Sequence, residues 1–229
     1  MSQTSSIHIF GGGTLSHIRT HFAITAAAYG ETARALHALL AKKKIPSTLH
    51  LTKMACMGKS DLETNSDIRK RTEEILADPN SKVIIFNVAV TDFDGQIGDV
   101  PSGKYAERLK SRDETHLPVI LTPAEKIVPL IKQKRPDIFL VAFKTTAGAD
   151  DQDQLARGTK LLNDSQADLV LANDTKTRRN VLIAKGGTIL CDTKDRAQAL
   201  QMIADAVAVA AQAKPAPNVK KAHGPKNIH

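Results

Sequence analysis

Three groups of polar residues have the types and spacing for nucleotide chemistry. Asn87, Thr91 and Asp92 follow the apolar run Val83-Ile-Ile-Phe86, and Lys144, Thr145 and Thr146 follow Asp137-Ile-Phe-Leu-Val-Ala-Phe143. Asn173 and Asp174 close Asp168-Leu-Val-Leu-Ala172. Each run reads as a strand buried on both faces. An Asp or Asn at such an end can hold ribose hydroxyls or a base amino group, and a lysine can neutralise phosphate. Singly, each residue is better read as a cap, which Asp and Asn favour. Their recurrence after three strands points to one site, because open parallel sheets bind ligands outside the carboxyl ends of their strands.

A second candidate precedes these. Gly11-Gly-Gly-Thr14 follows the short strand Ile7-His-Ile-Phe10. Glycines there allow a tight turn, with close backbone approach of a ligand to Gly12 and Gly13, and a helix soon after would aim amides at an anion. The stretch lacks the Lys-Ser/Thr of a P-loop and the third glycine of a dinucleotide fingerprint, which counts against an oxidoreductase. Arg19 is placed to contact an anion. His17 and His21 would share a helix face, but Ile18 stands where an HExxH site needs Glu, so no metal ligands are assigned. Cys56 and Cys191 lack metal or redox spacing, so a disulfide framework is not expected and a reducing, cytoplasmic compartment is.

The positioning elements follow from periodicity. A helix is expected from Thr20 to about Lys44, with Gly30 as a bend, and a strand over Thr48–Thr52. Residues 53–64 read as loop, and 67–77 as a helix capped by Asn65 or Ser66. Residues 94–115 are polar and carry Lys104, Arg108, Lys110 and Arg112; a lid over phosphates and a solvated loop are equally compatible with them. Leu117–Leu121 is a short strand, and Thr122-Pro123 opens a helix to Gln133. The strand ending at Phe143, a helix over 151–164 and the strand ending at Asp174 come next. Lys185-Gly-Gly187 turns a hairpin between 180–184 and 188–191, and 195–213 is the last helix. This alternation predicts an α/β fold, a Rossmann-like three-layer sandwich with a mostly parallel sheet and a C-terminal antiparallel hairpin. It occupies residues 1–213; residues 214–229 are expected to be a basic, disordered tail.

Bulk properties narrow the partners. The 229 residues carry a net charge of +8, and the tail holds four lysines and no acid. Aromatics make up 3% and Trp is absent, which argues against stacking platforms for single strands. The moderately basic body fits anionic small molecules such as phosphates about as well as it fits nucleic acid, and with aromatics scarce nucleic acid is not the expected partner. No apolar run reaches membrane-spanning length and no secretory signal opens the chain, so no membrane association is expected.

The motifs together resemble the phosphopantothenoylcysteine synthetase (phosphopantothenate–cysteine ligase) family, the C-terminal domain of the DNA/pantothenate-metabolism flavoproteins. The resemblance rests on Ile9-Phe-Gly-Gly-Gly-Thr14 with Arg19, Asn87-Val-Ala-Val-Thr-Asp-Phe93, Val141-Ala-Phe-Lys144, and Ala167-Asp-Leu-Val-Leu-Ala-Asn-Asp174 preceded by Lys160-Leu161. It covers roughly residues 7–205. It implies a ligase of coenzyme A biosynthesis that activates the carboxylate of 4′-phosphopantothenate as an acyl-nucleotide, with Mg2+ and CTP or ATP and without FMN, and then transfers the acyl group to cysteine. It also implies a homodimer. Carried over residue by residue, Ala89 and Asp92 contact base and ribose, Phe143 lines the pocket, Lys160 meets phosphate, and Lys104 or Lys110 is the catalytic lysine of a flap. Where the family has an Asn and a Ser-Ser-Gly-x-x-Gly segment, this chain reads Thr20-His-Phe-Ala-Ile-Thr-Ala-Ala-Ala-Tyr-Gly30. The nucleotide half of the site is thus better matched than the acyl half, which keeps a non-catalytic nucleotide-binding module as the alternative.

Overall fold

The computed structural model describes residues 6–110 and 116–212, so the expected tail and Arg112 lie outside the described residues. The chain runs β1 (Ile7–Gly13), β2 (Leu15–Arg19), β3 (Phe22–Thr25), α1 (Glu31–Lys42), β4 (Thr48–Leu51), α2 (Asn65–Ala77), β5 (Val83–Ala89) and β6 (Phe93–Gln96). It continues through β7 (Ile120–Pro123), α3 (Val128–Lys134), β8 (Phe139–Thr146), α4 (Asp151–Ser165), β9 (Leu169–Asp174), β10 (Asn180–Ala184), β11 (Ile189–Thr193) and α5 (Arg196–Gln212). Among these helices none is long and apolar enough to cross a membrane.

A seven-stranded sheet with order β11-β10-β9-β8-β5-β1-β4 forms the middle layer. The strands from β9 to β4 are parallel, and β10 pairs antiparallel with both β9 and β11. Period-two alternation sends successive side chains to opposite faces. Ile7, Ile9, Val83, Ile85 and Val141 pack under α1 and α5, whereas Phe10, Ile84, Phe86, Leu140 and Ala142 pack under α2, α3 and α4. Burial on both faces explains why these strands are continuous apolar runs. The Rossmann-like three-layer α/β sandwich and its closing hairpin are as the sequence predicts. That hairpin turns on Gly186 and Gly187, both at positive φ (87° and 86°), which a side chain would strain.

Two segments depart from the sequence reading. The helix expected from Thr20 does not start there: residues 15–25 form the β2–β3 hairpin, and α1 begins only after Gly30, which sits in the left-handed region at φ 81°. His17 and His21 therefore share no helix face. Ile120–Pro123, expected to end a strand and open a helix, forms β7 against β6, and α3 starts at Val128. The Pro123 ring is tolerated because this is a two-stranded ribbon with a free edge. A smaller shift concerns α2, whose N-cap is Thr64: its hydroxyl accepts from the Asp67 amide, and the Asp67 carboxylate accepts from the Thr64 amide.

The two hairpins leave the same sheet edge, one after β1 and one after β5, and meet at Gly95. A β-carbon there would lie 2.5 Å from Ile18 Cδ1 and 2.7 Å from Ile24 Cδ1. The polar segment after Phe93 is thus partly strand, packed on β2 and β3.

Candidate functional site

The strand order around β1 creates a topological switch: β4 lies on one side of β1 and β5 on the other. Crevices at such points are where ligands bind in open α/β sheets. Here the gap between β1 and β5 is closed by protein. The β1/β5 ladder runs to Gly13↔Ala89, and the Thr14 amide donates to the Ala89 carbonyl (3.0 Å). The Thr14 hydroxyl donates to Asn65 Oδ1 (2.7 Å) and accepts from the Thr91 amide (2.9 Å), while Asn65 Nδ2 donates to the Thr91 carbonyl (2.8 Å). Gly12 and Gly13 are strand, not turn. A β-carbon on Gly12 would lie 2.1 Å from Thr52 Oγ1, and one on Gly13 would lie 1.8 Å from the Ala26 carbonyl oxygen. The sequence reading expects a ligand to approach these glycines closely; in the structure the chain's own backbone and side chains do so.

The opening lies one strand further over. The β5/β8 ladder stops at Phe86↔Ala142. β5 continues along β1 to Ala89, and β8 continues along β9 to Thr146↔Asp174. Beyond that pair the sheet runs on as two arms that no longer pair with each other, leaving an unpaired slot about 10 Å long at 3.3 Å per residue over Asn87–Ala89. Val83, Ile85, Val141, Phe143, Leu169 and Leu171 all face the α1/α5 layer. Alternation places Asn87, Ala89, Thr145 and Asn173 on that same face beyond them. The Thr145 hydroxyl donates to Asn173 Oδ1 (3.3 Å), which fixes the far arm. Ala89, Phe143 and Asn173 are thus brought to one face of one slot. Lys144 rises from the far arm on the opposite face.

Asp92 stands at the root of the β6–β7 hairpin. Its carbonyl accepts from the Ala124 amide (2.9 Å) and its carboxylate pairs with Lys126 (2.5 Å). That carboxylate is two-thirds exposed, so it is open to a ligand. Asp174, expected as a nucleotide contact, is placed differently. It is buried, and its two oxygens accept from the Thr146 hydroxyl and the amides of Gly148, Ala149, Lys176 and Thr177. The Thr177 amide, foremost among these donors, holds the carboxyl well below the usual carboxylate range. Asp174 organises the turn into β10. Lys160 lies on the outer face of α4 paired with Asp164 (2.8 Å) and joins no other candidate.

The two flap lysines, equivalent in the sequence, fall into different cavities. Lys104 faces a cleft of about 570 Å3 whose walls include Ser16, His17, Glu63, Asn65 and Asp94. Glu63 is its partner; Glu63 also takes Lys53 (3.2 Å) and lies 3.7 Å from His17 Nε2. Burial pushes the Glu63 carboxyl up, but the hydrogen bonds from Lys104 and then Lys53 outweigh it and hold the group below its ordinary range. Asn65 is common to this cleft and to the Thr14 network, so Lys104 is the lysine nearer the sheet edge. Lys110 lines a second cavity of about 330 Å3 with Arg19, Glu107 and Arg108. Arg19, expected as an open anion contact, is 3% exposed. Its Nη1 donates to the Ile18 carbonyl (2.7 Å) and its Nη2 to the Ile97 carbonyl (2.6 Å). Sequence reasoning missed Glu63 and the bridging role of Asn65. The signal for both was the Thr64-x-x-Asp67 capping box, which sets the residues beside it against the sheet edge.

The switch-point topology, the split sheet edge and the covered faces define an α/β protein of the Rossmann-like ligand-binding class. Within that class the chain belongs to the DNA/pantothenate metabolism flavoprotein C-terminal domain family, whose sequence pattern matches residues 21–213. A curated relative, the coenzyme A biosynthesis bifunctional protein CoaBC of Thermococcus kodakarensis, is 27% identical over 116 residues, 51% of this chain and 27% of the relative. The chain thus spans about a quarter of that relative's length. Among solved structures, the DNA/pantothenate metabolism flavoprotein from Streptococcus pneumoniae has a TM-score of 0.73 at 20% identity, over 89% of this chain and 98% of that one. A Cab2 mutant in complex with phosphopantothenate-cysteine has a TM-score of 0.61 at 14% identity, over 89% of this chain and 88% of that one. At these identities the structural likeness bears on the fold.

Proposed function

We propose that the chain is a nucleotide-dependent ligase of coenzyme A biosynthesis, joining 4′-phosphopantothenate to cysteine through an acyl-nucleotide. The observation that carries this reading is the slot between β5 and β8, with Asn87, Ala89, Phe143, Thr145 and Asn173 on one face, in a chain of this family. The base enters the slot against Phe143, and the Asp92 carboxylate accepts from the ribose hydroxyls. In the first step the substrate carboxylate oxygen attacks the α-phosphorus and the bond to the pyrophosphate oxygen breaks. In the second, the cysteine amine attacks the acyl carbon, the carbon–oxygen bond to the nucleotide breaks, and the amine releases a proton. Lys104, from the cleft shared with Asn65, supplies the fixed positive charge for the anionic transition state of the first step. Lys144 serves the phosphates from the other arm. Mg2+ would arrive on the triphosphate oxygens, where it would neutralise charge.

The test is pyrophosphate release from CTP or ATP in the presence of Mg2+, phosphopantothenate and cysteine. No release with either nucleotide removes the proposal. One observation favours the alternative of a non-catalytic nucleotide-binding module: the segment that crowds Gly13 is Ala26-Ala-Ala28, without a polar side chain to hold an acyl intermediate. Nucleotide binding without pyrophosphate release would select that reading. A cytoplasmic homodimer completes the proposal, checked by sedimentation of the full chain.

A further inference from the structure

His17 lies on β2 in the wall of the cleft of about 570 Å3 that Lys104 faces. Its side chain is 14% exposed, and Nε2 is fully enclosed with no hydrogen-bond partner. An enclosed ring nitrogen without a partner costs free energy, so its presence calls for a role. Glu63 Oε1 stands 3.7 Å from Nε2, just beyond hydrogen-bond reach. The Glu63 carboxylate is itself fixed, because it also pairs with Lys104 and with Lys53 (3.2 Å). A carboxylate facing one imidazole nitrogen orients the ring and stabilises the imidazolium that forms when the other nitrogen takes a proton. Such contacts are commonly long without substrate and close when it binds. Among the described residues Nδ1 has no hydrogen-bond partner and, unlike Nε2, is not enclosed. The cleft suits a cationic guest: Asp61, Glu63, Asp67 and Asp94 line it, against Lys104. Asp94 is exposed and accepts from the Ser16 hydroxyl (2.7 Å), and among the described residues no cation pairs with it.

Building on the ligase reading, we propose that His17 accepts the proton of the amine nucleophile, which enters this cleft as an ammonium against Asp94. The ammonium gives one proton to Nδ1 and becomes the free amine. Its nitrogen attacks the acyl carbon, the carbon–oxygen bond to the nucleotide breaks with its electron pair left on the phosphate oxygen, and the second proton leaves to solvent. His17 then returns its own proton to solvent. Glu63 is a positioning residue that acts through the imidazole. Its two neighbours divide the reaction, Lys104 serving the attack on the α-phosphorus and His17 the attack on the acyl carbon. The acyl half thereby gains the polar side chain that Ala26-Ala-Ala28 lacks.

The test separates the two steps, on the full chain with CTP or ATP, Mg2+ and phosphopantothenate. Without an amine, the wild type and His17→Gln release the same burst of pyrophosphate. With cysteine, His17→Gln forms the amide about 100-fold more slowly, as loss of a general base does. Hydroxylamine is largely unprotonated at neutral pH and needs no base, so with it the two proteins form the hydroxamate at rates within about twofold of each other. A merely structural histidine would slow amide and hydroxamate alike, and that result overturns the proposal. Amide formation from cysteine at the wild-type rate overturns it too. So does loss of the burst in a folded His17→Gln, which would place His17 in the first step. Should His17→Gln fail to fold, His17→Asn takes its place with the same outcomes. Failure of the ligase reading has a different sign: the wild type itself releases no pyrophosphate, and the proposal falls with it.

Discussion

Lys104 and Glu63, 41 residues apart in sequence, form an ion pair that ties the flap to the segment entering α2. The carboxylate is nearly buried and the ammonium half-exposed, so Glu63 is the fixed member and Lys104 the positioned one. Lys104→Ala is expected to lower turnover on the order of 100-fold, as loss of a transition-state cation does. Glu63→Gln, which loosens the lysine without removing it, is expected to cost roughly tenfold in kcat with little change in KM. Pyrophosphate release measures both. Full activity in Lys104→Ala together with loss in Lys110→Ala would transfer the role to Lys110.

Asp92 and Lys126 are both exposed, so their pairing adds little to stability. Asp92→Ala should leave the melting temperature of the free protein within about 4 °C of wild type. It should abolish the rise in melting temperature that CTP or ATP produces. A nucleotide-induced shift of unchanged size would make Asp92 a cap for the hairpin root and nothing more.

Gly12 combines a φ of +100° with a Thr52 hydroxyl 2.1 Å from where a β-carbon would sit. Gly12→Ala therefore adds backbone strain to overpacking, and urea unfolding should show a loss of about 3 kcal/mol or more. An alanine variant as stable as the wild type would mean that the β1 end can shift away from Thr52.

His8 and His50 stack beneath β1 and β4, with Nδ1 of His8 3.1 Å from Nε2 of His50 and Ser81 Oγ 3.2 Å from His8 Nε2. Burial, then the neighbouring His8 and Arg71, lowers the pKa of His50 from 6.5 to about 4. The folded state thus binds fewer protons than the unfolded one at mildly acid pH. Stability is full above the unfolded value of 6.5 and declines as the pH falls towards 4, by up to about 3 kcal/mol from this group. Urea midpoints across that range should fall less steeply in His50→Gln than in the wild type. Parallel slopes would show that the imidazole is protonated in place at no cost.

The parts legible in the sequence were those set by short-range pattern. Val83–Phe86, Leu140–Ala142 and Leu169–Ala172 are apolar on both faces, and the Gly186-Gly187 turn announces its hairpin. The two hairpins outside the main sheet were misread for different reasons. The alanines at 26–28 extended the helical pattern of α1 backwards over Phe22–Thr25, and Pro123 looked like a helix start because its strand partner, Phe93, is distant in sequence. The site was half legible. Strand ends pointed to Asn87, Thr145 and Asn173, and the family resemblance to Ala89 and Phe143, but no sequence pattern shows that the β5/β8 ladder stops at Phe86↔Ala142 while its neighbours continue. Nor could spacing separate Asp92, which is open to solvent, from Asp174, whose oxygens are consumed by a turn.

Gly95 makes the two hairpins mutually dependent. With 2.5 Å between its missing β-carbon and Ile18, each insertion is the other's inner wall. Neither can be shortened, exchanged with a relative or displayed alone without uncovering apolar surface on the one that stays. A chimera that grafts a different flap onto this sheet must therefore move β2–β3 together with β6–β7, and a larger residue at position 95 needs a smaller one at Ile18 or Ile24.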